Sequence, residues 1–198
     1  HNSDRRQRQM CIRDRLYRDP ATNEYLPNLA TSYNWVDSKT LEFDLRKGVT
    51  FHNGEKFDAD DVVYTLTYIS NPENGAKPAR NVNWWDSAEK LGDYKVRLNL
   101  TKEFPAALEF LSGPIVMYPN EYYAEVGPEG MAMKPVGTGP YAVTSVEPGK
   151  RYKFKKNDNY HASSPKGQAN IGNIVIRTIA ESNTPVSYTH LRAHETYT

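Results

Sequence analysis

The sequence predicts an α/β fold in which antiparallel strands and capped helices share one core, and three stretches carry that expectation. Leu41, Phe43 and Leu45 alternate with Glu42, Asp44 and Arg46, the period-2 pattern of a strand with one buried face. Residues 94–100, YKVRLNL, repeat the pattern, with Val96, Leu98 and Leu100 on one side. Between them, residues 58–69 combine helix-start chemistry with apolar residues at helical spacing.

The first strand is broken at Lys47-Gly48. Val49 and Phe51 give a short extended run, and Asn53-Gly54 follows, a dipeptide that tolerates the positive φ of a tight reversal. Asp58 is then placed to cap a helix, with Asp61 at the capping-box position and Phe57 and Val62 as a hydrophobic staple. Asp60 and Asp61 also suit the positive end of the helix dipole. Val62, Leu66 and Ile69 share one face, so the helix packs inward. A calcium loop is excluded, because neither the glycine nor the final glutamate of such a loop stands at its place after Asp58.

Composition sets outer limits. The 198 residues suffice for one or two domains, and 38% hydrophobic with 12% aromatic residues is enough to bury a core. No apolar run approaches the roughly eighteen residues needed to cross a bilayer. Five Arg against Asp4 and Asp14 give residues 1–15 a net +3, and Arg192 against Glu195 leaves 186–198 neutral. With +1 overall, the body 16–185 stands at −2, which argues against a nucleic-acid surface. Cys11 is the single cysteine and lies outside that body, so disulfide frameworks, thiol nucleophiles and cysteine zinc sites are excluded from it.

The two ends lack the periodicity of the body. MCIRDR and SYTHLRAHET resemble translated adapter sequence, and 1–15 and 186–198 are read as a non-native head and tail. His190 and His194 lie four apart but lack the glutamate that follows the first histidine of a metal hydrolase. No apolar run follows the arginines of the head, so no signal peptide is visible, and a true N-terminus is expected to lie beyond this sequence.

Within the body, Trp35 before the Asp37-Ser38 turn is expected as a core or edge anchor. Residues 70–93 read as a surface loop holding Trp84 and Trp85. Strand neighbours point to opposite sides, so at least one of the pair is expected to be exposed or at an interface. Two roles stay open: a loop packed over the core, or an aromatic wall of a solute cleft with Arg80, Asn81 and Asn83 as polar contacts. Phe104-Pro105 opens a helix; 114–119 reads as a short apolar strand; Asn120 caps a helix that stops at Gly127. Residues 134–141, KPVGTGPY, lack both the Gly-Lys-Ser/Thr of a phosphate loop and the three spaced glycines of a dinucleotide fingerprint. A hairpin around Pro148-Gly149 and a strand at 171–179 complete the body.

Two of these stretches, FHNGEKFDADDVVYTL and PVGTGPY, together resemble the signatures of the family 5 extracytoplasmic solute-binding proteins of ABC importers, the oligopeptide-, dipeptide- and nickel-binding type. Asn53, Gly54, Asp58, Asp61, Gly137, Gly139 and Tyr141 occupy the motif positions. Pro27, Leu29, Ala30 and Ser32, and later Asn157, Asn159 and Tyr160, resemble further family segments, although His161 replaces the usual Trp or Phe.

The resemblance implies a periplasmic-binding-protein type II-like two-lobed clamp, of which 16–134 would be the small α/β lobe and 135–185 the start of the large one. The glycines would permit a close crossing between them. It implies a non-catalytic component outside the cytoplasmic membrane, delivering a small solute, expected to be a peptide, to an ABC permease, with no cofactor, metal or nucleic acid, and acting as a monomer. The alternative is a fragment of a peptide- or glycan-acting hydrolase. His52 and His161 are the only histidines of the body, and neither a nucleophile elbow nor HExxH is present, so that alternative would need a carboxylate pair.

Overall fold

The computed structural model describes residues 15–74, 81–113, 115–165 and 167–178. Arg80, Pro114, Cys11, and the histidines at 190 and 194 lie outside the described residues. The chain runs through a small ribbon, β1 (Leu16–Arg18) with β2 (Tyr25–Pro27), and then a larger sheet built from β3 (Ala30–Asp37), β4 (Thr40–Leu45), β5 (Trp85–Gly92) and β6 (Lys95–Leu100). That sheet is antiparallel throughout, in the order β3-β4-β6-β5. The two alternating stretches read from the sequence are therefore neighbours, with Leu41 opposite Leu98 and Phe43 opposite Val96.

The alternation decides which face is dry. Leu41, Phe43, Leu45, Val96, Leu98 and Leu100 are buried in one cluster with Val62 and Leu66 of helix α1 (Ala59–Ser70). On the opposite face Glu42 accepts from Arg97 at 2.7 Å and from Lys95 at 3.0 Å. Solvent-facing ion pairs of this kind contribute about 0–1 kcal/mol each, so the apolar face holds the sheet.

Helix α1 begins as its sequence demands. Asp58 adopts extended backbone and accepts from the Asp60 N–H, while Asp61 accepts from the Asp58 N–H, completing the capping box. Gly54 takes φ +94, and the Asn53 carboxamide oxygen accepts from the Glu55 N–H, which closes the turn ahead of it. Asp61 does more than cap its own helix. Its second carboxylate oxygen accepts the Asn120 N–H, the first N–H of helix α3 (Asn120–Met133), at 2.9 Å.

Four expectations are corrected. Asn120 is the first helical residue, not the cap; Pro119 holds the cap position without a capping side chain, and Asp61 reaches across to satisfy the free N–H of Asn120. Gly127, at φ 64, does break the helix, but Pro128 restarts it and the helical run continues to Met133. Residues 115–119 form no strand: Thr65 on α1 exchanges hydrogen bonds with the Tyr118 backbone through its hydroxyl, leaving no ladder to build. The loop expected over 70–93 contains the edge strand β5, whose one-sided polar pattern, WDSAEKLG, lacks the clear alternation of β4 and β6. The expected helix after Pro105 is short, α2 (Ala107–Leu111).

Arg15, within the 1–15 segment read as a non-native head, is fully buried, and its guanidinium donates to the carbonyls of Leu111 and Ile115. Trp35 is half-buried against the core and stands at the edge of an open groove with Asp37 and Phe104. Beyond the crossover, β7 (Tyr141–Glu147), β8 (Arg151–Lys156) and β9 (Asn173–Arg177) make a second antiparallel sheet. Its hairpin turns at Gly149, φ 73, and Tyr152 and Phe154 bury inward as their alternation requires.

Removing the cap by Asp58→Ala should cost about 1 kcal/mol of stability, read as a lower urea midpoint with unchanged slope. Asp61→Ala should cost about 2–3 kcal/mol, because it strands two backbone N–H groups on different helices. Burial pushes the Asp61 carboxyl up to about 7, against the pull of the Asn120 and Asp58 N–H groups. The folded state therefore holds this proton more tightly than the unfolded chain. The stabilisation is present in full below the unfolded carboxylate range and is lost as pH rises toward 7. The urea midpoint measured relative to Asp61→Asn should accordingly fall between about pH 4 and about pH 7.

Candidate functional site

The hairpin 49–57 and the glycine crossover, 85 residues apart in sequence, meet through His52. The hairpin is closed by Phe51 N–H donating to Glu55 O, by the bridge between Thr50 and Lys56, and by Phe57 N–H donating to Val49 O. These bonds present the backbone and ring of His52 to the crossover. His52 N–H donates to Gly137 O at 2.9 Å, Gly137 N–H donates to His52 Nδ1 at 3.3 Å, and His52 Nε2 lies 2.9 Å from Gly139 O. Asn157, just after β8, completes the grip: its carboxamide donates to Gly139 O at 3.1 Å and its N–H to Pro140 O at 2.9 Å.

Residues 135–139 are buried, so their peptide groups have to find partners inside the protein. Burial lowers the His52 pKa from its ordinary value, and the Gly139 carbonyl partly opposes the fall. Among the described residues there is no group of three His, Cys, Asp or Glu side chains placed to hold a metal ion. The junction offers hydrogen bonds to backbone.

The structural motif positions come together here. Asn53 and Gly54 shape the turn, Asp58 and Asp61 start the following helix, Gly137 and Gly139 receive His52, and Tyr141 opens β7 opposite Lys156. His52 and Asn157 carry the contact. The signal for His52 was a titratable residue directly between Phe51 and the Asn-Gly turn.

The expectation that Trp84 or Trp85 is exposed or at an interface is corrected, since both lie in the core cluster. They are 2% and 3% exposed and pack edge to face, with Trp84 stacked on Phe104. The alternation rule fails because Trp84 precedes the strand and the β5–β6 register slips between Trp85 and Ser87. Trp84 Nε1 donates to Asn81 O at 2.9 Å; Trp85 Nε1 is buried without a hydrogen-bond acceptor among the described residues. Asn81 is half-buried and Asn83 exposed, so of the proposed solute contacts among the described residues only the asparagines reach the surface.

The model of the bacterial extracellular solute-binding proteins, family 5 middle region, matches residues 24–190. This chain belongs to that family. The dipeptide-binding protein of Pseudomonas aeruginosa is 30% identical over 158 residues, covering 68% of this chain and 30% of its own length. NikZ from Campylobacter jejuni, solved in complex with Ni(L-His), is 28% identical, with a TM-score of 0.74 over 86% of this chain and 34% of NikZ. The oligopeptide-binding protein AppA from Bacillus subtilis, solved with a nonapeptide, shares the fold at a TM-score of 0.75 and 23% identity, over 86% of this chain and 34% of AppA. The chain spans roughly a third of the length of the curated relatives it matches. Its fold is thus part of the periplasmic-binding-protein type II architecture.

The two tryptophans should respond differently to losing only the indole nitrogen. Trp84→Phe should cost about 1 kcal/mol more than Trp85→Phe in urea denaturation, since only the first breaks a hydrogen bond. Either residue changed to Ala should cost about 3–5 kcal/mol.

Proposed function

We propose that this chain is part of a non-catalytic solute receptor that acts outside the cytoplasmic membrane and delivers a small solute, a peptide, to an ABC permease. The reading is carried by the family match over residues 24–190, in which both signature stretches lie and meet. The peptide class is supported by the 30% identical dipeptide-binding protein of Pseudomonas aeruginosa. In this reading residues 16–134 form the small lobe and 135–185 open the large one, so that the His52 junction sits where the chain passes between them. Asn81 and Asn83 remain as polar contacts at the small-lobe surface. Solute contacts on both lobes would favour a closed state, and the permease would read closure.

No helix among the described residues is long and apolar enough to cross a membrane. The test is calorimetric titration of di- and tripeptides into two samples: this chain alone, and a chain extended to the length of its relatives. The extended chain should bind saturably with one site, and this chain alone should not, because a single lobe cannot enclose a solute. Hydrolysis of the peptides, abolished by changing one carboxylate, would overturn the receptor reading.

A further inference from the structure

The hydrogen bonds around His52 admit one protonation state. A carbonyl can only accept, so Nε2, 2.9 Å from Gly139 O, must carry a hydrogen. An amide N–H can only donate, so Nδ1, 3.3 Å from the Gly137 nitrogen, must be bare. The neutral Nε2–H tautomer satisfies both, and a second proton would have to go to Nδ1, where it would face the Gly137 N–H. We propose that His52 is an acid-released clasp on the crossover: neutral, it ties 137–139 to the hairpin 49–57 at both ring nitrogens; protonated, it drops the Gly137 amide and loosens that segment, which the His52 N–H, Nε2–H and Asn157 still hold.

Three observations support the clasp. First, the ring bridges two peptide groups on either side of Thr138, so releasing one end changes how the crossover is held. Second, the Thr138 hydroxyl is buried with no hydrogen-bond partner among the described residues, so its side chain does not hold the segment in place of His52. Third, burial disfavours the imidazolium, and the only opposing influence is the Gly139 carbonyl. The titratable groups of the neighbouring segments are Glu55 and Lys56 on the hairpin, Lys134 and Tyr141 flanking the crossover, and Lys156 and Asp158 on either side of Asn157. None of them contributes to the shift. Protonation is therefore set by local burial, and release should fall below the ordinary histidine range. The clasp rests on contacts within this chain and holds or fails independently of the solute reading.

Nitrogen NMR of the 198-residue chain tests it directly. At neutral pH the long-range proton–nitrogen spectrum of His52 should show a protonated Nε2 and a bare Nδ1. Hydrogen-exchange protection of the Gly137 amide should fall about tenfold or more between about pH 7 and about pH 4, following the His52 titration. Protection at Leu98 in the central strand should not follow that curve, nor should the Asn120 amide, which reports Asp61. In His52→Asn, whose carboxamide oxygen can accept from Gly137 without titrating, protection should stay within about threefold across the range. An Nδ1–H tautomer, a Gly137 amide indifferent to the His52 titration, or loss in step with Leu98 would each overturn the proposal. If His52→Asn does not fold, the curve of the unaltered chain still decides.

Discussion

The passage of the chain from the first sheet to the second depends on backbone hydrogen bonds gathered by two side chains, His52 and Asn157. Residues 135–139 are buried yet belong to neither sheet, so every peptide group there is a potential cost of about 1–3 kcal/mol if left unpaired. A glycine-rich crossing cannot satisfy itself by packing, having few side-chain atoms to pack. His52 takes the Gly137 carbonyl with its own N–H, the Gly137 N–H with Nδ1 and the Gly139 carbonyl with Nε2; Asn157 adds bonds to Gly139 and Pro140. The rest follows in sequence. The Asn53-Gly54 turn exists to bring His52 back against the crossover, and the capped helix behind it fixes the hairpin to the sheet.

Asp61 plays the equivalent part on the other side of α1. A carboxylate buried to this degree is tolerated because each oxygen has a defined donor: the Asp58 N–H on its own helix start and the Asn120 N–H on α3. The price of that burial appears as the raised pKa. Thr65, one turn further along α1, exchanges two hydrogen bonds with Tyr118. Helix α1 thus positions 115–120 through polar contacts, while its apolar face is committed to the sheet. The aromatic cluster of Tyr64, Tyr68, Tyr118 and Tyr123, with ring centroids 4.5 to 6.2 Å apart, fills the space these contacts leave between the two helices.

The elements legible in the sequence were those whose local chemistry and burial agree. Strands β4 and β6, the Asn53-Gly54 turn, the Asp58 cap and the Pro148-Gly149 hairpin each carry a short-range signal that the core then uses. The misreadings arose where partners distant in sequence decide. Asn120 looked like a cap, but its N–H is served by a residue 59 positions earlier. Residues 115–119 looked like a strand, but a threonine on α1 occupies the Tyr118 backbone. The Trp pair was expected to straddle a strand; a register slip and a position ahead of β5 let both rings turn inward. His52 could be seen in the sequence only as a lone polar residue, because its meaning lies in two glycines 85 and 87 positions away.

The inward turn of the tryptophans also bears on where a solute could be held. Trp84 packs edge to face on Trp85 and Phe110 and stacks on Phe104, so both indoles of the 81–111 region are committed to the core. A solute meeting residues 81–111 would find backbone, asparagines and the half-buried Phe104 and Tyr94 before it met the indoles of Trp84 and Trp85, while Trp35 stands half-buried at the open groove with Asp37 and Phe104. Such a surface gives orientation through hydrogen bonds more than affinity through burial, since each net hydrogen bond is worth about 1 kcal/mol and a fully buried aromatic ring several. Affinity in a clamp built this way has to come from closing a second surface over the first. Under the proposed receptor reading, in which the chain passes from one lobe to the other at residue 135, that closure would be transmitted through the crossover.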